Sequence, residues 1–317
     1  VAQHRRGICE GVLSGAQGNT IVASAGGFIN TLRLKHRKPI VNLPGVDAPW
    51  GKEIRGCIVA PKIYDYTPTD LGTVYSQEGP KMKQVPMVLC GADVSSLESC
   101  TKRHLMWDYD PDYVTEMSQP GFDEHLDLAK HAGKATQEDI DRYNEGKAPE
   151  LKPLRSKFKA TNYSAVYGVG VTKLAREAGM TQREAQELLK AYWERNWAVD
   201  KLSKGQYVKT LKDGSMWIKN PVSGFYHSLR YDKDKWSTLN QSTGVYIFDL
   251  WVANMRKLGV KVSLQYHDEV LFSVPKGQEK QTEELLKEAM RKVNETLKLN
   301  VTIGADAEFG PDYASVH

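Results

Sequence analysis

The reading turns on Arg155-Ser-Lys-Phe-Lys159-Ala-Thr-Asn-Tyr163-Ser-Ala-Val-Tyr167-Gly168. On an α-helix, residues four apart drift by only about 40° around the axis. Arg155, Lys159 and Tyr163 therefore share one stripe, with Tyr167 toward its edge. Gly168 and Gly170 follow, and glycine tolerates the left-handed backbone that ends a helix. A face with cations toward one end and phenols toward the other suits a nucleoside triphosphate, its phosphates meeting Arg155 and Lys159 and its base or sugar meeting Tyr163. Taken alone, the pattern is more often a surface helix whose cations are merely solvated.

Two more stretches bring a different chemistry. Val88-Leu-Cys-Gly-Ala-Asp93 has strand length and ends in a carboxylate, and Ser95-Ser96-Leu-Glu98 reads as a helix start. Far downstream, Val262 to Tyr266 and Val270 to Val274 alternate as two strands, with His267, Asp268 and Glu269 in the joint between them. Asp93 and Asp268 are 175 residues apart, yet each stands where a strand stops. If those strands are neighbours, the two carboxylates meet at a sheet edge. There they would hold two Mg²⁺ ions about 3.5–4 Å apart, one for an attacking hydroxyl and one for a leaving pyrophosphate. Aspartate at a strand end is also ordinary turn chemistry.

With these residues in view, the chain resembles the C-terminal polymerase region of family A DNA polymerases, the bacterial polymerase I-like group, and most of all its phage branch. Asp93 to Glu98 resembles that family's motif A, Arg155 to Gly168 its motif B, and Gln265-Tyr-His-Asp268-Glu269 its motif C. Thr31-Leu-Arg33-Leu, Asn42-Leu-Pro44 and Gly51 to Arg55 with Ala60-Pro61 resemble the approach to the palm, and Gly310 to His317 the chain end. The resemblance runs from about residue 18 onward.

The resemblance implies an α+β fold, with an antiparallel-sheet palm assembled from both ends of the chain and a helical fingers subdomain inserted. Palm would cover residues 1–117 and 237–317, and fingers 118–236. It implies addition of deoxynucleotides to a primer 3′-hydroxyl, with two Mg²⁺ held by Asp93, Asp268 and the Val94 backbone carbonyl, and Glu269 beside the primer terminus. Arg155, Lys159 and His125 would face the triphosphate, with Lys159 as proton donor to the pyrophosphate. Tyr163 and Glu98 would line the sugar pocket, Glu98 filling the space beneath the 2′ position, and Tyr167 would stack near the template base. Arg33, Gln241, His267 and Gly168 would touch DNA. Implied partners are primer-template DNA, deoxynucleoside triphosphates, a processivity factor and an upstream thumb and exonuclease region of the same gene product. The chain itself has no room for a thumb or a proofreading exonuclease, and reads as a C-terminal fragment.

Composition permits this without demanding it. The 317 residues carry 40% hydrophobic and 26% charged residues and a net charge of +4. A polymerase needs a basic groove rather than a basic whole. The four cysteines, at 9, 57, 90 and 100, have no zinc-ligand spacing. No apolar run reaches the length of a membrane span, no signal peptide opens the chain, and the cytoplasm of a bacterium or phage-infected host is the expected compartment.

Elsewhere the expectations are plainer. Residues 1–30 read as a flexible Gly-rich entry with a strand near Thr20 to Ala23, and 62–87 as a loop or hairpin. A family loop of variable length falls between Pro39 and Asn42. Ser99 to Arg103 departs from the apolar residues the family usually has there. Trp107 to Asp112 is a solvated turn rather than a calcium loop, because the required Gly and Glu are missing. Thr136 and Thr181 start helices, the second as a capping box. Trp217-Ile-Lys with Ser223-Gly224 suggests a strand and turn, and Ser237 opens a long apolar helix through Trp251. Glu283 to Leu297 is amphipathic, and Val301, Ile303 and Ala305 alternate as a last strand.

Two other functions remain open: a single-subunit RNA polymerase, against which Glu98 argues, and a non-catalytic DNA-binding fragment, against which the intact acidic and cationic sets argue. A two-metal nuclease has little support, since no further carboxylate cluster is visible.

Overall fold

The computed structural model describes residues 1–38, 42–61, 63–66 and 82–316. The chain divides into two compact units, Val1–Leu97 with Val245–Lys298 and Ile303–His317, and Glu98–Gly244 with Leu299–Thr302. The expected α+β class holds.

The first unit is built on a four-stranded antiparallel sheet. Its order is Leu264–Tyr266, Glu269–Pro275, Met87–Val94, Ala305–Gly310. Met87–Val94 lies inside the sheet and is apolar at almost every position because both its faces are covered. Cys90, Ala92 and Val94 are buried on one face with Val270, Phe272 and Val274 of the neighbouring strand. On the other face Leu89 joins Leu271, Tyr313 and Val316 in a second cluster. Gly91 sits on that face, where a Cβ would run into the Val316 carbonyl; the chain end closes down on the sheet only because that position has no side chain.

Helix Glu279–Leu297 packs on this sheet through Thr282, Leu286, Ala289, Met290 and Val293, the apolar stripe that its amphipathic pattern predicts. Trp251, fully buried, donates from Nε1 to the Leu286 carbonyl at 3.1 Å. Burying a side chain of that size contributes on the order of 3 kcal/mol.

The second unit is mainly helical. Helix Lys152–Val166, with Pro153 in its first turn, buries Phe158, Thr161, Asn162 and Ala165 against a cluster including Leu128, Leu188 and Tyr192. Helices Gln137–Asn144 and Gln182–Arg195 both begin with complete capping boxes, on Thr136 with Asp139 and on Thr181 with Glu184. A three-stranded antiparallel sheet, Val208–Thr210, Met216–Lys219 and Tyr226–Leu229, completes the unit.

Lys102, one of the residues that depart from the family pattern, is buried in this unit. It lies 3.8 Å from Glu124 and stands over the Tyr192 ring. Beside it Arg195 donates to Asp127 at 2.8 Å and Glu116 at 2.6 Å, and Tyr113 donates to Asp127 at 3.2 Å. Burial lowers the Lys102 pKa, opposed by the carboxylates of Glu124 and Asp127.

Several local expectations are corrected. Residues 2–15 form a helix, Ala2–Gly15, supported by an Arg6–Glu10 pair one turn apart at 2.8 Å; glycine inside a helix costs about 1 kcal/mol relative to alanine and does not forbid it. The strand expected near Thr20 is only Thr20–Ile21, paired with Ala16–Gln17. Val301 and Ile303 are not in a strand, which starts at Ala305. Asn294 captures both the N–H and the carbonyl of Ile303, at 3.0 and 2.9 Å, so that residue has no ladder to join. Gly168 has φ +61, as a helix-ending glycine should. Gly170 is extended and instead opens helix Val171–Glu177. Glu269 belongs to its strand rather than to the joint. Asp110 N-caps helix Pro111–Met117 by accepting from Tyr113 N–H at 3.1 Å, a structural use for the acidic turn. In the expected 62–87 hairpin, Ile63–Tyr66 pairs with Met82–Val85. Its residues 62 and 67–81, the loop at 39–41 and His317 lie outside the described residues.

Candidate functional site

The acidic group belongs to the first unit. Glu269 stands opposite Asp93 in the register of the two inner strands, and Asp306 stands opposite Asp93 on its other side. Directly opposed residues in a sheet point to the same face, so Glu269, Asp93 and Asp306 form one row across three strands. Asp268 sits in the adjoining two-residue turn, its carbonyl accepting from Val94 N–H at 3.4 Å. Asp93 and Asp268 are thus brought together as the spacing suggested, with Val94 closing the strand beside them. Partial burial, then Asp306, Asp268 and Glu269, push the Asp93 carboxyl up to about 6.

Asp306 is the residue that sequence reading missed. A single Asp in Gly-Ala-Asp-Ala-Glu carries no signal of its own; only the strand register joins it to Asp93. Ser95 donates to Asp306 Oδ2 at 2.6 Å and holds it in place. Glu269 is anchored from behind, where Tyr313 donates to its Oε2 at 3.4 Å. Arg55, buried, lies over the Tyr313 ring and donates to the Pro44 carbonyl at 2.7 Å. Arg55 and Pro44 therefore brace Glu269 through Tyr313, a tyrosine from near the chain end.

Among the described residues, no three His, Cys, Asp or Glu side chains are gathered closely enough to cage a metal by themselves. Magnesium does not need such a cage: it usually takes one or two carboxylates and completes its shell with water and substrate phosphates. The hard oxygens of Asp93 and Asp268, in a field negative enough to raise a neighbouring pKa, fit that ion.

A second feature of this unit is a cavity of about 310 Å³ lined by Arg33, His36, Gln265, His267, Asp249 and Arg256 among others. His267 has a left-handed backbone, φ +60, and its ring lies 5.9 Å from that of His36. Burial, with Arg33 and His36 close by, pushes its pKa down to about 4, so the imidazole is neutral at physiological pH. Arg33 and His267, separated by most of the sequence, share one wall.

The cationic group belongs to the second unit. Arg155, Lys159 and Tyr163 lie outside the buried face of Lys152–Val166, on one stripe as expected. Arg155 Nε donates to Asp123 at 2.5 Å. Partial burial pushes the Asp123 carboxyl up, but Arg155 and the Leu126 N–H together hold it below the usual carboxylate range. Lys159 stands 5.8 Å from the centre of the Tyr163 ring, whose other neighbour is His125 at 6.0 Å. Burial lowers the His125 pKa. Asn162 Nδ2 lies 2.8 Å from His125 Nδ1. An amide NH₂ can only donate there, so Nδ1 accepts and the ring proton resides on Nε2.

Three more candidate residues form a chain of hydrogen bonds in the same unit. Tyr167 donates to Glu98 Oε1 at 2.9 Å, and Gln241 donates to the Tyr167 hydroxyl at 3.1 Å. Tyr167 is the residue that caps the cationic helix, immediately before Gly168. Its orientation is thus tied to both Glu98 and Gln241, which lie far apart in the sequence.

These sites sit in a chain with informative relatives. It is 24% identical over 313 residues to the DNA-directed DNA polymerase of Escherichia phage T7, a match covering 90% of this chain and 40% of that protein. It is also 24% identical to DNA polymerase I of Geobacillus stearothermophilus, over 75% of this chain and 28% of the other. The chain thus spans less than half the length of these relatives. Its fold is similar to that of the POL domain of Pol1 from M. smegmatis, solved in complex with DNA primer-template and dNTP, with a TM-score of 0.71 at 22% identity over 98% of this chain and 50% of that one. Residues 86–315 match the family described as DNA polymerase family A, a span that includes the stretches Asp93 to Glu98, Arg155 to Gly168 and Gln265 to Glu269. The chain belongs to DNA polymerase family A.

Proposed function

We propose that this chain carries out template-directed transfer of a deoxynucleotide to a primer 3′-hydroxyl, releasing pyrophosphate. The observation that carries the proposal is the meeting of Asp93 and Asp268, from distant segments, at one end of an antiparallel sheet. In this reading residues 1–117 and 237–317 serve as palm and residues 118–236 as fingers, the substrates being primer-template DNA and deoxynucleoside triphosphates.

Two magnesium ions, when bound, supply Lewis-acid activation of the primer hydroxyl and neutralise charge on the pyrophosphate. Asp93 and Asp268 supply the oxygens that hold them, with the Val94 carbonyl as a further donor. Glu269, fixed by Tyr313, lies beside the primer terminus. Arg155 keeps its two terminal nitrogens for phosphate while Asp123 orients it through Nε. Lys159 neutralises the triphosphate and donates a proton to the leaving group. His125 donates from Nε2 to a phosphate oxygen, which its neutral tautomer allows. Glu98 occupies the space a 2′-hydroxyl would need, and its bond to Tyr167 holds it there. Arg33, His267, Gln241 and Gly168 contact the DNA.

Primer extension with Mg²⁺ tests the proposal. Asp93→Ala and Asp268→Ala should each abolish extension and leave primer-template binding intact. Normal extension by either variant would refute it. The single-subunit RNA polymerase alternative predicts preferential incorporation of ribonucleotides in the same assay.

A further inference from the structure

The three-stranded sheet of the second unit has one buried face and one open face. Ile218, His227 and Leu229 are buried, and Ile218 is opposite both Val208 and His227 in the register. Because side chains alternate along a strand, the neighbouring positions turn outward. Lys219 pairs with Tyr226, and Trp217 pairs with Lys209 on one side and Ser228 on the other. Tyr207, just before Val208, continues the outward row beside Lys219. Tyr207 is 80% exposed and Tyr226 54% exposed.

The outer face therefore alternates aromatic rings and lysines. From residue 205 to 231 the only acid is Asp213, set against Lys209, Lys212, Lys219 and Arg230. Asp213 is tied into its own turn, accepting from Ser215 Oγ at 2.7 Å and Ser215 N–H at 2.9 Å. A face serving only solubility has no use for two tyrosines and a tryptophan in this setting. An apolar protein partner would have to desolvate the lysines without neutralising them. A single nucleic-acid strand satisfies both elements: its bases stack on the rings and its phosphates neutralise the ammonium groups between them.

We propose that this outer face is a binding platform for single-stranded DNA, of the kind an unpaired template presents. None of its residues belongs to the acidic or cationic groups described above, and the inference does not depend on the transfer reaction.

The test is photo-crosslinking of the full chain to a bromodeoxyuridine-substituted single strand of about 16 nucleotides, with the adducts mapped to residues, alongside equilibrium binding of the same strand. Crosslinks are expected at Tyr207, Trp217 or Tyr226. Joint replacement Tyr207→Ala and Tyr226→Ala should weaken binding about tenfold or more. Lys209→Gln with Lys219→Gln should weaken it comparably and flatten its salt dependence. Both double variants should extend a primer normally on a template with a one-nucleotide overhang. Asp93→Ala should retain the crosslinks, so that failure of the transfer proposal and failure of this one are separable. Crosslinks confined to residues outside 205–231, or unchanged binding by both double variants, would overturn the platform. So would a glutamate-rich peptide displacing the strand while only the lysine replacements matter, which would mark a site for acidic peptides instead.

Discussion

Asp306 stands directly across from Asp93 in neighbouring antiparallel strands, and Ser95, two residues beyond Asp93, holds its carboxylate at 2.6 Å. The two acids therefore repel one another from facing positions in the sheet. After partial burial, Asp306 is the largest influence raising the Asp93 pKa to about 6. A carboxylate must lose its proton to hold a cation, so magnesium has to displace that proton at lower pH. The half-saturating Mg²⁺ concentration for primer extension should rise as pH falls through 6, by up to about tenfold per pH unit. In Asp306→Asn the rise should begin at lower pH. A coincident pair of titrations would remove Asp306 from the site.

The same repulsion bears on stability. Asp93 has a folded-state pKa above its ordinary value, so the folded protein takes up its proton more readily than the unfolded chain does. Its charge is thus a cost to folding that is fully present above pH 6 and is relieved as pH falls toward 4. Asp93→Asn should raise the free energy of unfolding in urea at pH 7.5, by no more than about 1 kcal/mol because the side chain is only partly buried and solvent screens its charge. The gain should vanish near pH 4. Lower stability of the variant at pH 7.5 would contradict the electrostatic account.

Sugar selection is a separate matter from metal binding. The Tyr163 ring has Lys159 and His125 as neighbours, and if it lines the sugar pocket as proposed, its phenol would replace the hydrogen bond that a missing 3′-hydroxyl would have made. Tyr163→Phe should discriminate against dideoxynucleotides by about tenfold or more, the worth of one charge-assisted hydrogen bond. Glu98→Ala, which also releases Tyr167, should admit ribonucleotides. A sequencing ladder with chain terminators reads the first, and competition between ribo- and deoxynucleotides reads the second.

Asp127 accepts from Arg195 and from Tyr113 in a setting with only 3% of its side chain exposed. Asp127→Ala leaves a guanidinium and a phenol without their shared acceptor and should destabilise the second unit by about 3 kcal/mol. The surface pair Arg183–Glu187, one helical turn apart at 3.0 Å, is the contrast: Glu187→Ala should change stability by less than about 0.5 kcal/mol. Chemical denaturation of the two variants side by side checks both.

Much of the site was legible because its chemistry is written into local spacing. The stripe of Arg155, Lys159 and Tyr163 follows from helical periodicity, and Gly168 from the need for a left-handed residue at a helix end. The strand at Met87–Val94 was legible from an apolar run of the right length. Ile303 reads as strand by periodicity but is not one, because a side chain nearly ten residues away, Asn294, takes both of its backbone groups, and periodicity contains no record of such a competitor. The helix Ala2–Gly15 is hidden in the sequence because its three glycines dilute the helix-forming tendency of the residues around them.

By itself the sequence determined which residues carry charge, which segments alternate with a period of two or nearly four, and which family the motifs resemble. Those properties depend on covalent order and short-range geometry alone. Tertiary structure decided that Asp306 joins Asp93, that Tyr313 braces Glu269, that Gln241 and Glu98 share the Tyr167 hydroxyl, and that tyrosines and lysines face outward together on a small sheet. Strand register and long-range packing set these relationships, and they are fixed only when segments far apart in the chain are pressed into contact by the burial of their apolar faces.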